Sequence, residues 1–319
     1  MTDDLFADRG RCPLCGNDDA AQFETVYDFN RIPVRKCRQC SFMHSARIMT
    51  PEGMKRYYAD TFGSDRHRFG QHVNAGISHR ALKSLLDLRE IKSVLDVGTG
   101  YGFLPALLRD TYQMDVTGVE LSEQEADYAE QVNKLIIHRA PLSDGGDGGE
   151  SASDPPRDHF DLVMSFEVIE HVPDPCDFMH QMAAHVKPGG WLLVCTDNFE
   201  APVVRALGPA FPKWIPHSHI SHFAPDTLRR CINQTPGLEY QCGVSYTTWE
   251  LVVRRLLTAL QRKKTVSECY NLDDVMATEM KRGYPMFAAR RIINAMWFAL
   301  MRRRDLNGAL MYGLARKAE

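Results

Sequence analysis

Long apolar runs are missing from this chain: no uninterrupted stretch approaches the roughly 20 residues that a bilayer-spanning helix needs. The opening residues, MTDDLFADRGRC, are acidic and hold no apolar stretch, so they lack the pattern of a secretory signal. An excess of one charge is also absent. The net charge is −3, so no whole-chain basic field draws nucleic acid, which leaves only a local patch for that purpose. Evenly paired cysteines are lacking too, because nine is an odd count and four of them fall into two CxxC pairs. That usage suits a bound metal in a reducing, cytoplasmic setting better than a disulfide framework.

What is present is the composition of an ordinary folded protein, 44% hydrophobic and 25% charged. A length of 319 residues allows one large domain with a substantial core and a second, small one. The small one is expected over residues 1–50. There RCPLCG supplies Cys12 and Cys15, and RKCRQCSF supplies Cys37 and Cys40. Two such pairs around a strand-like segment can hold a tetrahedral, all-thiolate zinc ion. The intervening AQFETVYDFNRIPVRKC has the aromatic and β-branched content of short strands. So small a segment buries little apolar surface, and the metal would supply folding energy. Four thiolates leave no open coordination position, so the zinc is expected to be structural. His44 lies nearby but is not needed as a ligand. The competing reading is free thiols, or one redox CxxC beside an accidental pair.

Residues 51–90 read as a helical lead-in, and residues 91–319 as the main domain. Its strongest signal is IKSVLDVGTGYGFLPALLRD. Val94, Leu95 and Val97 form a short buried strand with Asp96 near its end, and Gly98, Gly100 and Gly102 turn the chain into a helix. Glycines permit positive φ and close approach of a ligand, and the helix start offers free N–H groups. This is not the dinucleotide fingerprint, because Phe103 occupies its last glycine position. MDVTGVEL is a second strand ending in Glu120, whose carboxylate can accept both hydroxyl protons of a ribose. KLIIHRAPL, HFDLVMSFEVIEHV and HVKPGGWLLVCTDN supply three more strands, the last after a Pro-Gly-Gly turn. Strands and helices alternating at this interval predict an α/β, doubly wound parallel sheet. SDGGDGGESASDPPRD, between strands three and four, reads as a surface loop.

Asp96-x-Gly98-x-Gly100-x-Gly102 resembles the first motif of class I S-adenosylmethionine-dependent methyltransferases, and the following segments agree over most of Val94 to Asn198. The resemblance implies a Rossmann-like sheet and that cofactor. Asp96, Gly98, Thr99 and Gly100 would meet its amino-acid end, Glu120 and Leu121 its ribose side, and Ala140 its adenine, with Ser165 and Glu167 completing the set. It also makes GLEYQCGVSYTTW the sixth strand and NGALMYGLARK a last, antiparallel strand closing the sheet. Trp249 to Asp305 then becomes a helical insert. Its two amphipathic stretches, LVVRRLLTALQRKK and MFAARRIINAMWFALMRRR, are edged with arginine and lysine. They suit an anionic membrane surface, or packing on the core, on a second subunit in a homodimer, or over the active site.

Methyl transfer from a sulfonium is an in-line displacement, in which the protein mainly aligns the reactants and adds a base when the acceptor must lose a proton. Histidine suits that task near neutral pH. Ligands of such sheets sit beyond the carboxyl ends of the strands. Two places qualify: EVIEHVPDP, with Glu167, Glu170 and His171, and KWIPHSHISHF, with His217, His219 and His222. The cysteine module, the core, HVP and HISHF together resemble C-methyltransferases of nucleotide-linked deoxysugars and their polysaccharide-cluster relatives. Those carry Tyr-x-Glu-His before a Leu/Ile-Ser-aromatic-Phe run. Here Pro216, His217, Ser218 and His219 stand at those positions, so the histidine is kept while tyrosine and glutamate are not. That departure brings O-methylation level with C-methylation.

The expected function is therefore methyl transfer to a small-molecule acceptor, most naturally a sugar or nucleotide-linked sugar. His219, His171 and Glu170 are the candidate catalytic groups, and Tyr58 (beside Tyr57), His217 and His222 the candidate substrate contacts. His217 is expected at the exposed edge of its loop and His222 in a packing or turn role. A second metal on the three histidines is not expected, since no nearby carboxylate or cysteine completes the set. One alternative is an RNA methyltransferase gripping RNA through Arg31, Arg35, Lys36 and Arg38 of the module. The other is a binding protein that keeps the fold without the chemistry.

Overall fold

Residues 5–29, 32–54, 65–142, 155–260 and 287–319 are described by the structure, a computed structural model. The cysteine module forms β1 (Phe6–Asp8), β2 (Phe23–Phe29), β3 (Ile32–Cys37), β4 (Met43–Ser45) and β5 (Arg47–Met49). β2, β3 and β4 pair antiparallel in sequence, and β1 pairs with β5. Ile32 and Val34 alternate inward along β3 and are buried, as the pleat requires of one half-buried face, and Cys37 is buried at its end.

The described part of the lead-in holds α1 (Asp65–Leu85) and, after it, a bend and turn up to residue 90. Then follow β6 (Ser93–Val97), α2 (Phe103–Tyr112), β7 (Asp115–Val119), α3 (Glu123–Gln131), β8 (Ile136–His138), β9 (Phe160–Phe166), α4 (Pro175–His185) and β10 (Val186–Asp197). Every residue of β6 is buried, because a parallel strand is covered by helices on both faces. Local chemistry starts the helices. Ser122 accepts from the Glu125 amide to cap α3, and Asp174 accepts from Cys176 and Asp177 ahead of α4, with Pro175 in the first turn. The Pro-Gly-Gly turn is absorbed as a register shift between Val186 and Trp191 at the start of β10. The loop expected over residues 143–158 falls mostly outside the described residues.

Beyond β10 come α5 (Pro202–Leu207), the two-residue strand β11 (Ser221–His222), α6 (Pro225–Gln234), β12 (Leu238–Tyr246), α7 (Trp249–Leu260), α8 (Phe287–Met301) and β13 (Leu310–Lys317). The large sheet has the order β12-β13-β10-β9-β6-β7-β8. β10, β9, β6, β7 and β8 run parallel. β13 is antiparallel as expected, yet it lies between β10 and β12, so β12 forms that edge of the sheet. The order reverses between β6 and β9, and ligands of open α/β sheets bind outside the strand ends at such a point. α7 and α8 occupy the two ends of the region expected as a helical insert; its middle lies outside the described residues.

The cysteine module is stitched to this domain. β11 adds to its sheet, giving the order β11-β4-β3-β2, with Ser221 opposite His44 and His222 opposite Met43. The Arg9 guanidinium donates to the carbonyls of Ile220 and Pro173. The Ser45 hydroxyl donates to the Pro216 carbonyl at 2.7 Å. Cys12, Leu14, Cys37 and Phe42 share one buried cluster with Phe178, Met179 and Phe223 of the large domain.

Candidate active site

The glycine turn lies at the end of β6, and all three glycines have left-handed φ, +79°, +57° and +77° for Gly98, Gly100 and Gly102. A Cβ on Gly98 would stand 2.3 Å from Val168 Cγ2, and one on Gly100 2.2 Å from Gln71 Oε1. Glycine is thus required for both conformation and space. Asp96 is buried, with Oδ1 lacking a hydrogen-bond partner. Burial, and then the nearby Glu120, push its carboxyl up to about 8. A buried carboxyl oxygen without a donor, beside this glycine turn, fits the ammonium of the amino-acid end of S-adenosylmethionine.

Glu120 ends β7 as expected. Its Oε2 accepts from the Gly100 amide at 2.7 Å and its Oε1 from the Ser122 amide at 2.8 Å. Its carboxyl is raised by burial and by Glu125. Leu121 beside it is 60% exposed, a bare apolar side chain where an adenosine would lie. Thr99 spends its hydroxyl on the Asp96 carbonyl and Ser165 its own on the Val97 carbonyl, so both hold the loop and strand in place. Ala140 is half-buried just past β8.

Sequence reasoning missed Gln71 of α1. Its Oε1 accepts from the Tyr101 amide at 2.9 Å, and its amide nitrogen lies 3.2 Å from Glu125. It closes over the glycine turn, but nothing local in FGQHVN marks it.

The second half of the site lies beyond β9 and β10. Glu167 takes a left-handed φ of +55°, directing the chain sharply out of β9. Its carboxylate accepts from Lys213 Nζ at 2.8 Å, and that ammonium holds the carboxyl below its usual range. Lys213 Nζ also stands 3.9 Å from Asp197 Oδ2. Glu170 is fully buried. One of its oxygens accepts from the Thr196 hydroxyl at 2.9 Å and the other has no partner among the described residues. Burial drives the Glu170 carboxyl up to about 8 and that of Asp197 to about 7.

His171 and His219 meet edge to face, with ring centroids 4.7 Å apart. His171 Nδ1 lies 3.0 Å from the Ser218 carbonyl, which can only accept. Nδ1 therefore carries the proton in the neutral ring, and Nε2 is the basic nitrogen. Burial lowers His171 to about 4 and His219 well below its ordinary value, so both are neutral near pH 7. His219 Nδ1 is 3.8 Å from Asp197 Oδ2.

His217 is 1% exposed, which corrects its expected place at the loop edge: the sheet contact between β11 and β4 pulls the loop inward. It still lines a cleft, together with His171, Ser218, Ile48, Met49 and Met54. His222 is fully buried against Phe199 and Trp214, with centroids 4.6 and 4.9 Å away, the packing role expected of it. Tyr57 and Tyr58 lie outside the described residues.

The reason given against a second metal also needs correcting, because the fold supplies carboxylates that sequence distance concealed. Glu170, His171 and His219 have ligand atoms within 4.8 Å of one another, as do Glu167, Glu170 and Asp197. Lys213 already sets a positive charge against the second group. Cys12, Cys15, Cys37 and Cys40 satisfy the same limit, with Sγ separations of 3.5 Å (Cys12–Cys40) and 3.7 Å (Cys15–Cys37). A tetrahedron with Zn–S near 2.3 Å has edges of about 3.8 Å, so the cluster is compatible with a zinc ribbon.

Comparison with known proteins agrees with this geometry. A family model for a methyltransferase domain matches residues 65–242. A ubiquinone biosynthesis O-methyltransferase of Hydrogenovibrio crunogenus is 34% identical over 53% of this chain and 71% of its own length. One from Aromatoleum aromaticum is 32% identical over 49% and 68%. Among solved structures, a methyltransferase of Thermotoga maritima, described as a possible histamine N-methyltransferase, aligns with 83% of this chain and 95% of its own. The identity there is 17% and the TM-score 0.45. The relatives' names carry no sugar acceptor. With the family match spanning more than half of the 319 residues, the chain belongs to the methyltransferase domain family and is an S-adenosylmethionine-dependent methyltransferase.

Proposed function

We propose that the protein methylates a hydroxyl oxygen of a small acceptor with an apolar body, a phenol in preference to a sugar. The observation that carries this reading is a narrow cleft whose lining includes Ile48, Met49 and Met54 together with His171. A hexose would need several polar partners, and Ile48, Met49 and Met54 carry no polar side-chain group. A phenolic proton, with a pKa of about 10, is also within easier reach of an imidazole than an alkyl alcohol's. The relatives named as ubiquinone O-methyltransferases support oxygen as the methylated atom.

S-adenosylmethionine supplies the electrophilic methyl group when it is bound. The chain's own part is to hold and to deprotonate. Asp96, Glu120 and the glycine turn orient the cofactor, Gln71 closes over the turn, and His171 Nε2 takes the acceptor proton. His219, next to the Asp197 carboxylate, supports the charge that His171 then carries. The four cysteines hold one structural zinc. Metal analysis of dialysed protein should return one equivalent.

The test is release of S-adenosylhomocysteine with alkyl-substituted catechols, nucleotide-linked deoxysugars and RNA offered in parallel. Turnover with the catechols is expected. Turnover with the sugars alone would restore the sugar acceptor implied by HISHF. Binding of S-adenosylhomocysteine without turnover on any of them would favour a non-catalytic role. RNA is disfavoured because Lys36 is paired with Glu200 and Arg38 lies 3.9 Å from Glu24.

A further inference from the structure

α7 and α8 are apolar on their outer faces as well as their inner ones. Inside, Phe298 of α8 is buried against Tyr246, with centroids 5.2 Å apart. Trp297 Nε1 donates to the Thr247 carbonyl at 2.7 Å, and Trp249 Nε1 to Asn294 Oδ1 at 2.9 Å, which ties the bases of the two helices together. Outside, Val253, Leu256 and Leu257 of α7 are 42–59% exposed. Ile292, Ile293, Met296 and Leu300 of α8 are 46–75% exposed. The spacing puts each set on one helical face. A helix apolar all round is one whose outer face is covered by something else.

Charge decides what covers it. α8 carries no carboxylate in its sequence, and α7 carries one, Glu250. Arg302, Arg303 and Arg304 follow the exposed stripe of α8 directly, and of these Arg303 is paired with Asp305. Arg254 and Arg255 lie on α7. Two copies packed face to face would bring these arginine-rich ends together, which opposes association.

We infer that α7 and α8 form a docking face for an anionic lipid surface, with the apolar stripes in the acyl boundary and the arginines at the headgroups. α8 packs on α1, the helix that sets Gln71 over the glycine turn, so the docked face adjoins the active site. The inference does not depend on the acceptor proposed above.

The full-length protein, floated with vesicles, tests it. Wild type should float with phosphatidylcholine–phosphatidylglycerol vesicles, be released by high salt, and stay behind with phosphatidylcholine alone. The Ile292→Ser/Met296→Ser/Leu300→Ser variant should lose flotation. Arg302→Gln and Arg304→Gln should each weaken it by about fivefold. S-adenosylhomocysteine affinity and thermal midpoint should stay at wild-type values in all of them, showing that the fold persists. As a second measurement, brominated lipid should quench tryptophan fluorescence on binding, because Trp249 and Trp297 lie at the base of the face. Equal flotation of the serine variant overturns the inference. So does a wild-type dimer that the serine changes dissolve, or a wild-type monomer that floats with neither vesicle.

Discussion

From Asp96 to Glu120 the cofactor half of the cleft is one continuous stretch, strand, glycine turn, helix and strand. The acceptor half is gathered from afar: Glu170 and His171 from beyond β9, Asp197 from β10, His217 to His219 from the following loop, and Met49 from the cysteine module. The first half closes on itself through backbone bonds such as Gly98 and Thr99 to Val119. The second is held by a borrowed sheet edge and by Arg9, whose guanidinium bridges to Ile220 and Pro173. A site built this way can keep its cofactor geometry while the module sets the acceptor's surroundings.

The largest expected effect falls on the acceptor half alone. His171→Ala should lower kcat by about 10³-fold, within the span known for positioned bases, and leave S-adenosylhomocysteine affinity almost unchanged by calorimetry. In wild type the base must be unprotonated, and burial has lowered it to about 4. Activity should thus persist as pH falls past the ordinary histidine range and be lost only near 4; an acid limb near 6.5 would count against His171.

The opposite half breaks with Gly98→Ala. The added Cβ meets Val168 at 2.3 Å in a left-handed backbone, and it should cost the cofactor affinity on the order of 100-fold. Zinc content should be untouched, since the cysteines belong to the other half.

A smaller effect sharpens the contrast through stability. His222 is fully buried, and burial lowers it to about 3. Above pH 6.5 it is neutral whether folded or unfolded. As pH falls below that, the unfolded chain takes up a proton that the buried ring refuses, and stability is lost. His222→Phe removes this liability. Relative to wild type it should gain about 2 kcal/mol between pH 7.5 and pH 5, read from urea midpoints.

The same contrast explains what could be read in the sequence. Asp96, the three glycines and Glu120 stand in the order and spacing of a motif that runs along the sequence, so the family resemblance singled them out. The two CxxC pairs were legible for the same reason. Gln71 was not, because its partners, Tyr101 and Glu125, are far along the chain. Nor was Lys213, a lysine in a loop until Glu167 and Asp197 surround it. His217 looked exposed because its neighbours are polar, and only the pairing of β11 with β4 buries it. The position of β13 inside the sheet was hidden likewise, since periodicity gives a strand but not its neighbours.

Cys37→Ser tests the division most directly, since Cys37 is fully buried and belongs both to the four-cysteine cluster and to the shared core. The account predicts S-adenosylhomocysteine affinity within about threefold of wild type, turnover at least about tenfold lower, and partial recovery in Cys37→His, which restores a zinc ligand. Cofactor affinity falling in step with turnover, or turnover at the wild-type rate, would contradict it.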